Sequence, residues 1–229
     1  DKDGLTDTGT FSINIAQVND APVADNDTAS TNEDNAVVID VLEGDSDIDK
    51  DGTLNAHPGD ESIYIDLTSA GLTAPAHGDV TTDGLTITYT PDTDFNGTDT
   101  FEYYCADGDA KTKAEVTVTI KQVNDAPVAN ADSTSTGEDT AVTYDVLAND
   151  TDVDTDEDLN KGELHATSEF SITDCYFYGG TNGTLSYEGG SITYTPAGDF
   201  HGKQVIQYVL SDGHGQTSIG TLTILVGSI

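Results

Sequence analysis

Basic residues are scarce in this 229-residue chain, and arginine, methionine and tryptophan are absent. Seven lysines stand against 43 aspartates and glutamates, which gives a formal net charge of −36 at pH 7. A surface that neutralises phosphates needs clustered lysine and arginine, so the composition excludes nucleic acid as a partner and disfavours anionic membrane surfaces. No apolar run approaches the roughly 20 residues that span a bilayer, so we expect no membrane insertion.

Cysteine is rare too, and the two residues, Cys105 and Cys175, lie in different strand contexts, so we expect no disulfide between them. The five histidines are scattered, without the spacing of a zinc site. Neither a nucleophile elbow nor a glycine-rich phosphate loop is present, and acid pairs are too abundant for any one of them to indicate a glycosidase. We therefore expect no enzyme activity. The lack of methionine and of a signal peptide predicts that the chain is a piece of a longer protein.

What the chain does contain is an internal repeat. Residues 18–24, VNDAPVA, return as residues 123–129, at an offset of 127 − 22 = 105 residues. A repeated unit of about 100 residues is a complete small domain, so the chain is predicted to be a string of similar domains. The predicted boundaries are residues 1–20 for the last strand of a preceding repeat plus a linker, 21–121 for the first repeat, and 122–229 for a linker and the second repeat.

Short segments rich in Thr, Val, Ile and Tyr alternate apolar and polar residues in both repeats, and no segment has helical periodicity. The predicted strands lie near residues 24–30, 36–42, 62–67, 78–82, 85–90, 99–105 and 114–121, and near residues 141–147, 168–173, 183–187, 191–195, 204–210 and 218–226. About seven antiparallel strands per 100 residues are typical of an immunoglobulin-like sandwich. We predict an all-β protein of two tandem immunoglobulin-like (cadherin-like) β-sandwich domains.

The repeated pattern VNDAPVA, EDxxVxxDVL, YTPxxDFxG and DG resembles the tandem bacterial Ig-like, cadherin-like repeats of very large RTX-type adhesins. The resemblance covers nearly the whole chain, twice. It implies a protein that is secreted and held at the bacterial cell surface, with repeats that act as calcium-stiffened extenders. It also implies that neighbouring repeats of the same chain are the immediate partners, and that a glycan or protein ligand binds elsewhere in the parent protein.

The densest acidic segment, residues 45–52, recurs as residues 150–158. Alternate carboxylates in a loop can surround one hard cation, and Ca²⁺ accepts about six to eight oxygen ligands in irregular geometry. Each copy partly matches an EF-hand loop, but neither match is complete and no helices flank them. We therefore predict a Ca²⁺ loop on a β scaffold. The alternative is a solvated acidic turn, and recurrence at equivalent loops favours the metal.

Topology sharpens this prediction, because the B–C and F–G loops of such a sandwich lie at the end where the chain enters. The A–B loop lies at the other end, so Glu33 and Asp34 are expected to face the linker, as acids do in cadherin linkers. A strand-end turn with local hydrogen bonds is the alternative for these two. The predicted Ca²⁺ ligands are Asn19, Asp20, Glu33, Asp34, Asp45, Asp47, Asp49, Asp107, Asn124, Asp125, Glu138, Asp139, Asp150, Asp152, Asp154 and Asp212.

These observations predict a calcium-rigidified extender segment of a secreted bacterial surface adhesin. One alternative is a glycan- or peptide-binding adhesive module that uses the aromatic residues 176–178 or the loop 157–168. Another is an accessory spacer of a secreted polysaccharide-degrading enzyme. Since the aromatic cluster has no counterpart in the first repeat, core or edge packing is expected for its rings.

Overall fold

A computed structural model of the chain describes residues 8–13, 19–48, 63–154 and 170–228. The chain divides into two compact units, unit 1 from Asp1 to Val123 and unit 2 from Asn124 to Ile229. Both units are built from β-strands, which confirms the predicted fold class. No helix in the described ranges is long and apolar enough to cross a membrane.

Unit 1 is a sandwich of a four-stranded sheet and a three-stranded sheet. Its seven strands are β1 (Asp27–Asn32), β2 (Val37–Ile39), β3 (Tyr64–Asp66), β4 (Gly78–Thr82), β5 (Ile87–Pro91), β6 (Gly97–Ala106) and β7 (Lys111–Lys121). The larger sheet has the order β1-β7-β6-β3 and the smaller one β2-β5-β4. Side chains alternate between buried and exposed along β5, β6 and β7, as expected when one face of each strand covers a core.

Unit 2 repeats this arrangement. Its strands are β8 (Asp132–Gly137), β9 (Val142–Asp145), β10 (Ser171–Tyr178), β11 (Gly183–Glu188), β12 (Ser191–Pro196), β13 (Gly202–Ser211) and β14 (Thr217–Gly227). The four-stranded sheet has the order β10-β13-β14-β8, and the three-stranded sheet has the order β11-β12-β9. The edge strand β10 is eight residues long, whereas its counterpart β3 has three.

The first strand of each unit pairs in parallel with the last one, β1 with β7 and β8 with β14. The prediction of an entirely antiparallel sandwich is therefore wrong in this respect. Seven strands that alternate in direction give the seventh strand the direction of the first, so these two can only pair in parallel when they are neighbours. The other strand pairs are antiparallel.

The strands begin and end up to five residues from their predicted bounds, and β8 is a strand that the sequence analysis did not predict. The strand expected at residues 36–42 ends at Ile39, because Asp40 accepts a backbone hydrogen bond from Glu43 and the chain turns there. The strand expected at residues 168–173 runs instead from Ser171 to Tyr178. Residues 8–13 belong to the segment predicted as the last strand of a preceding repeat, but they contain no strand, and Phe11 and Ile13 are exposed.

The strand directions define two ends in each unit. The upstream end, where the chain enters, carries the loops after β2 and β6 in unit 1 and after β9 and β13 in unit 2. The downstream end carries the loops after β1 and β5, and after β8 and β12. The topology therefore places the loop after β2 at the same end as the loop after β6, and the loop after β9 at the same end as the loop after β13.

Candidate metal centres

A backbone bridge ties the linker to the acidic loop at the upstream end of each unit. Val23 exchanges two hydrogen bonds with Ser46, at 2.7 and 3.0 Å, and Val128 exchanges two with Thr151, at 2.7 and 3.1 Å. The residue that follows each bridge is an aspartate, Asp47 or Asp152. The sequence offset of 105 residues thus corresponds to the same local structure in both units.

In unit 1, the linker residue Asn19 is hydrogen-bonded to the loop after β6. Its Nδ2 donates to Asp107 Oδ2 at 3.1 Å and to the carbonyl oxygen of Asp20 at 3.0 Å. Burial favours a raised pKa for Asp107, but hydrogen bonds from the Ala110 N–H and from Asn19 outweigh it and lower the pKa. The buried Asp107 therefore remains a carboxylate, which is the form that binds a cation.

Unit 2 has the same arrangement. Asn124 Nδ2 donates to Asp212 Oδ2 at 2.7 Å and to the carbonyl oxygen of Asp125 at 3.1 Å. Asp212 Oδ1 accepts backbone hydrogen bonds from His214 at 2.7 Å and Gly215 at 3.0 Å. Burial favours a raised pKa for Asp212 as well, but the Asn124 side chain and these N–H groups together lower it.

Further hydrogen bonds connect the linker of unit 2 to its acidic loop. The Asp125 N–H donates to Asp154 Oδ2 at 2.7 Å, and the Asp154 N–H donates to Asp152 Oδ1 at 3.1 Å. Asp152 and Asp154 are buried, and ligand oxygens of Asp125 and Asp154 lie within 4.8 Å of each other. The upstream cluster of unit 2, defined as Asn124, Asp125, Asp152, Asp154 and Asp212, thus gathers five of the predicted ligands.

The corresponding residues of unit 1 are Asn19, Asp20, Asp47, Asp49 and Asp107. Asp47 lies beside Asp107 and is one of the groups that lower the pKa of Asp107. Asp20 is exposed, and Asp49 lies outside the described residues. The upstream cluster of unit 1 is thus described for four of its five predicted members.

One atom of the unit 2 cluster indicates what the cluster is suited to bind. The amide of Asn124 is oriented by the two hydrogen bonds that its Nδ2 donates. Its Oδ1 is buried and has no hydrogen-bond partner within the described part of the chain. An unsatisfied buried amide oxygen is costly in a native structure unless an ion or water meets it. An amide oxygen beside several carboxylates is a donor set for a hard cation such as Ca²⁺.

Asp45 and Asp150, two further predicted ligands, face the core instead. Asp45 Oδ1 accepts the Asp25 N–H at 2.8 Å, and its Oδ2 lies 3.0 Å from the Tyr103 hydroxyl. Asp150 Oδ1 accepts the Asn130 N–H at 2.7 Å, and its Oδ2 lies 3.2 Å from the hydroxyl of a second buried tyrosine. Since protein groups already contact their oxygens, neither residue belongs to the upstream cluster of its unit.

These two aspartates belong to a buried polar network that the sequence analysis missed. The Tyr103 hydroxyl lies 2.7 Å from the Val41 carbonyl oxygen, 3.1 Å from Asp27 Oδ2 and 3.0 Å from Asp45 Oδ2. A hydroxyl has one proton for these three acceptors. Burial, with a contribution from the nearby Asp45 charge, raises the pKa of Asp27 to about 6, even though the Tyr103 hydrogen bond favours the carboxylate.

The same network recurs in unit 2. The Tyr208 hydroxyl lies 3.2 Å from the Val146 carbonyl oxygen, 3.3 Å from Asp132 Oδ2 and 3.2 Å from Asp150 Oδ2. Burial raises the pKa of Asp132 to about 6, again in spite of the tyrosine hydrogen bond. Tyr103 and Asp27 both recur at the offset of 105 residues, and this was the signal available in the sequence.

Glu33 occupies the downstream end of unit 1. It is 2% exposed, and its Oε1 accepts the backbone N–H of Val123, the last residue of the unit. A buried carboxylate therefore holds the segment that leaves the domain. Glu138 takes the equivalent position in unit 2, where its N–H donates to the Gly227 carbonyl oxygen at 2.8 Å, as the Glu33 N–H does to Lys121 at 2.9 Å.

Asp34 has a partner at the same end that the sequence analysis did not select. Asp34 Oδ1 accepts the Asp94 N–H at 3.1 Å, and ligand oxygens of these two aspartates lie within 4.8 Å of each other. Both residues adopt positive φ angles, 59° and 57°, as do Asp139 and Asp199 in unit 2, at 62° and 60°. Aspartate tolerates this left-handed conformation better than most residues. The repeated YTPxxDFxG pattern contains Asp94 and Asp199.

The histidines and cysteines considered in the sequence analysis show no sign of a catalytic or zinc site where the structure describes them. His77 stacks on Phe95 with ring centroids 4.1 Å apart. Cys105 is buried and Cys175 half-buried, and both are free thiols. Burial raises the pKa of each, to about 12 for Cys105 and about 11 for Cys175, so neither thiol is reactive near neutral pH.

The family of bacterial cadherin-like domains matches residues 19–122, and the family of bacterial Ig domains matches residues 124–225. Together the two matches cover nearly the whole chain. No curated protein matches it. Ig-like and cadherin-like domains are typically non-catalytic, and the bacterial ones are typical of extracellular or surface proteins.

Among solved structures, mouse cadherin-23 repeats 22–24 are 18% identical over 92% of this chain and 64% of that one, with a TM-score of 0.49. The human desmocollin-1 ectodomain is 11% identical over 91% of this chain and 41% of that one, with a TM-score of 0.48. An endo-fucoidan hydrolase of glycoside hydrolase family 107 is 15% identical over 91% of this chain, with a TM-score of 0.33. The chain spans 29% of that hydrolase. Similarity at these levels carries no information on function.

Proposed function

We propose, on the premise that the chain is a tandem of a bacterial cadherin-like domain and a bacterial Ig domain, that it is a calcium-binding extender segment of a secreted adhesin. In this role it lies outside the bacterial cell and holds adhesive domains of the parent protein away from the surface. The observation that carries the proposal is the upstream cluster of unit 2, with its unsatisfied Asn124 Oδ1 among four aspartates.

The chemistry of this cluster favours calcium over other common metals. All of its ligand atoms are oxygens, without the imidazole or thiolate ligands that select zinc or copper. Carboxylate and amide side chains reach it from the linker, from the loop after β9 and from the loop after β13. Such a set can satisfy the irregular coordination that Ca²⁺ accepts more readily than the strict octahedron of Mg²⁺. Without a cation, the adjacent carboxylates repel one another.

The position of the cluster in the chain connects binding with a mechanical role. Asn124 and Asp125 directly follow Val123, whose N–H is held by Glu33. A cation bound by Asn124 and Asp125 would immobilise the peptide that joins the units, and this would restrict their relative motion. The matching residues of unit 1, Asn19 and Asp20, would act in the same way on a preceding domain.

Thermal unfolding in millimolar CaCl₂ and in EDTA tests the proposal. Binding to the native state should add roughly 2.7 kcal/mol per site at a hundredfold excess of calcium over Kd, so we expect a much higher melting temperature in calcium. MgCl₂ should raise it less. Equal melting temperatures in calcium and EDTA would refute calcium binding.

A matched pair of variants locates the ion. The double variant Asp152→Asn/Asp154→Asn should lose much of the calcium-induced shift, while its stability in EDTA should match or exceed that of the parent because a repulsion is removed. Asp79→Asn, at an exposed position on β4, is the control and should keep the full shift. A full shift in the double variant would place the ion elsewhere.

Small-angle scattering tests the extender role separately from binding. We expect a larger maximum dimension, or a narrower distribution of dimensions, in calcium than in EDTA. Asp125→Ala should broaden the distribution even in calcium. If calcium raises the melting temperature and leaves the scattering unchanged, the chain binds calcium without being stiffened by it.

A further inference from the structure

The outward face of the four-stranded sheet in unit 2 is almost free of charge. This face, called the tyrosine face, is formed by the side chains of β10, β13, β14 and β8 that point away from the core. Its members are Ser133, Ser135, Asp174, Tyr176, Tyr178, Lys203, Val205, Gln207, Val209, Ile219, Thr221, Thr223 and Leu225. It contains one acid and one lysine, in a chain whose formal charge is −36.

Two tyrosines dominate this face. Tyr176 and Tyr178 are 39% and 61% exposed and lie two residues apart on the edge strand β10, so their rings point to the same side of the sheet. They are cross-strand partners of Gln207 and Val205. The expectation that the aromatic cluster packs in the core or at an edge holds for Phe177, whose ring meets Tyr194 edge-on at 6.1 Å, but not for the two tyrosines.

Polar groups that can donate and accept hydrogen bonds surround the rings. Gln207 lies opposite Thr221, and Val205 lies opposite Thr223, in the middle of the sheet. The amide and the hydroxyls are half-buried, so their positions are restricted by the sheet. Lys203 lies next along β13, opposite Leu225, and has no ion pair within the described residues. The face therefore combines exposed aromatic surface with neutral hydrogen-bonding groups.

The equivalent face of unit 1 has a different composition. It carries Glu102, Lys113 and Asp66, and two of its lysines form ion pairs, Lys113 with Glu102 at 2.8 Å and Lys111 with Asp66 at 3.7 Å. Lys111 also lies over the Tyr104 ring, 4.4 Å from its centroid, and so covers that aromatic surface. In unit 2, Gln207 occupies the position of Glu102, at the offset of 105 residues.

We propose that the tyrosine face of unit 2 binds an uncharged polysaccharide. Sugar rings present C–H faces that stack on aromatic rings, and their hydroxyls pair with amides and hydroxyls such as those of Gln207 and Thr221. Charge selects the class of ligand. A chain with a net charge of −36 repels anionic polymers. A cationic partner would be attracted to the acidic loops instead. The nearly uncharged face is therefore complementary to a neutral polymer.

Affinity electrophoresis of the full chain in native gels tests this proposal. The highly negative chain migrates fast, and a neutral polysaccharide in the gel adds no charge, so slower migration reports binding alone. The probes are hydroxyethyl cellulose, laminarin, galactomannan and dextran, with a gel lacking polysaccharide as the reference. We expect at least one probe to slow the parent chain.

Variants on the two units locate the binding surface. Tyr176→Ala/Tyr178→Ala should weaken binding about ten-fold or more, because it removes the binding free energy of two aromatic contacts. Gln207→Glu, which keeps the rings and adds a charge, should also weaken it. Tyr64→Ala on β3 of unit 1, where the ring is 38% exposed, is the matched control and should bind like the parent. Melting curves show whether each variant is folded.

Two results would overturn the proposal. One is migration of the parent unchanged by every probe. The other is equal retardation of the parent and of a folded Tyr176→Ala/Tyr178→Ala variant. A dimer in sedimentation that is lost in this double variant, without retardation by any probe, would assign the face to a second copy of the chain instead.

Discussion

On the outward face of unit 1, Glu102 and Lys113 form an ion pair, whereas the equivalent strands of unit 2 carry Gln207 and Ile219. Residues on this face contact solvent and each other, so one can change without leaving a buried group unsatisfied. The two units can therefore share a fold and still expose different chemistry.

The interior, unlike the outward face, has the same polar network in both units. Each unit places one tyrosine hydroxyl among a backbone carbonyl and two aspartates, at positions related by the offset of 105 residues. Removing any member leaves another buried polar group without its partner, which costs about 1–3 kcal/mol. One neighbour does differ between the units. Tyr103 lies opposite Ala114, whereas Tyr208 lies opposite Gly220.

The largest effect is expected from Gly220→Ala. A Cβ at this position would lie 2.0 Å from Tyr208 Cζ, so the fully buried ring would have to shift. Overpacking of this kind costs about 3 kcal/mol, and the melting temperature of the full chain measures it. The reverse change in unit 1, Ala114→Gly, should cost about 1 kcal/mol or less. Similar small losses from both variants would mean that the two tyrosines pack alike.

Loss of the tyrosine hydroxyl should come next. Tyr103→Phe leaves the Val41 carbonyl and two carboxylates without their shared donor, so we expect a loss of about 2 kcal/mol in the free energy of unfolding. Tyr208→Phe should cost less, about 1 kcal/mol, because the shortest contact of the Tyr208 hydroxyl is 3.2 Å, whereas that of the Tyr103 hydroxyl is 2.7 Å. Denaturant unfolding of the two single variants gives the comparison, and a costlier change in unit 2 would contradict it.

The pH dependence of stability should reveal the same network. Asp27 and Asp132 have pKa values of about 6 in the folded chain against an ordinary value of 3.8, so the folded state binds their protons more tightly. Their stabilising contribution is complete below pH 3.8 and is lost as the pH rises to about 6. In EDTA, the parent should therefore lose stability over this range.

The variant Asp27→Asn/Asp132→Asn isolates this contribution. An asparagine amide can supply the hydrogen that the protonated acid supplied, and it does not ionise. The difference in stability between the double variant and the parent should therefore change with pH, and it should favour the variant more above pH 6 than at pH 4. Asp79→Asn is the control for general charge repulsion. Stability curves of the parent and the double variant that stay parallel from pH 4 to 7 would show that these two acids do not carry the effect.

The sequence was sufficient for the features that depend on periodicity and repetition. Alternation of apolar residues predicted the strands, and the linker asparagine with its DG turn predicted where Asn124 and Asp212 meet. It was insufficient where one residue type has two uses. Asp45 and Asp47 are identical in the pattern, yet Asp45 faces the buried Tyr103 hydroxyl and Asp47 faces Asp107, and only the direction of each side chain separates them.

Edge positions were hard to predict for a related physical reason. An alternating strand such as β10 buries one face whether or not its other face is covered, so the pattern of residues 176–178 could not show that two tyrosines stay exposed. Asp94 was missed because its role depends on a loop that lies 60 residues away in sequence from Asp34.

The smallest effect is expected from the ion pair on the outward face of unit 1. The pKa of Glu102 is lowered to about 2, chiefly by the hydrogen bond from Lys113 and then by the Thr73 groups. Its folded pKa lies below the ordinary value of 4.5, so its contribution is present above pH 4.5 and is lost as the pH falls towards 2. This is the opposite of the behaviour expected for Asp27.

Exposed ion pairs contribute little, and salt screens them, so Glu102→Gln should shift the melting temperature only slightly at neutral pH. The glutamine can still accept the Thr73 N–H, which now donates to Glu102 at 2.8 Å. The small shift should disappear in high salt and below pH 2. A large shift that persists in salt would mean that the outward face of unit 1 is as constrained as its core, and the contrast between a constant interior and a variable face would then fail.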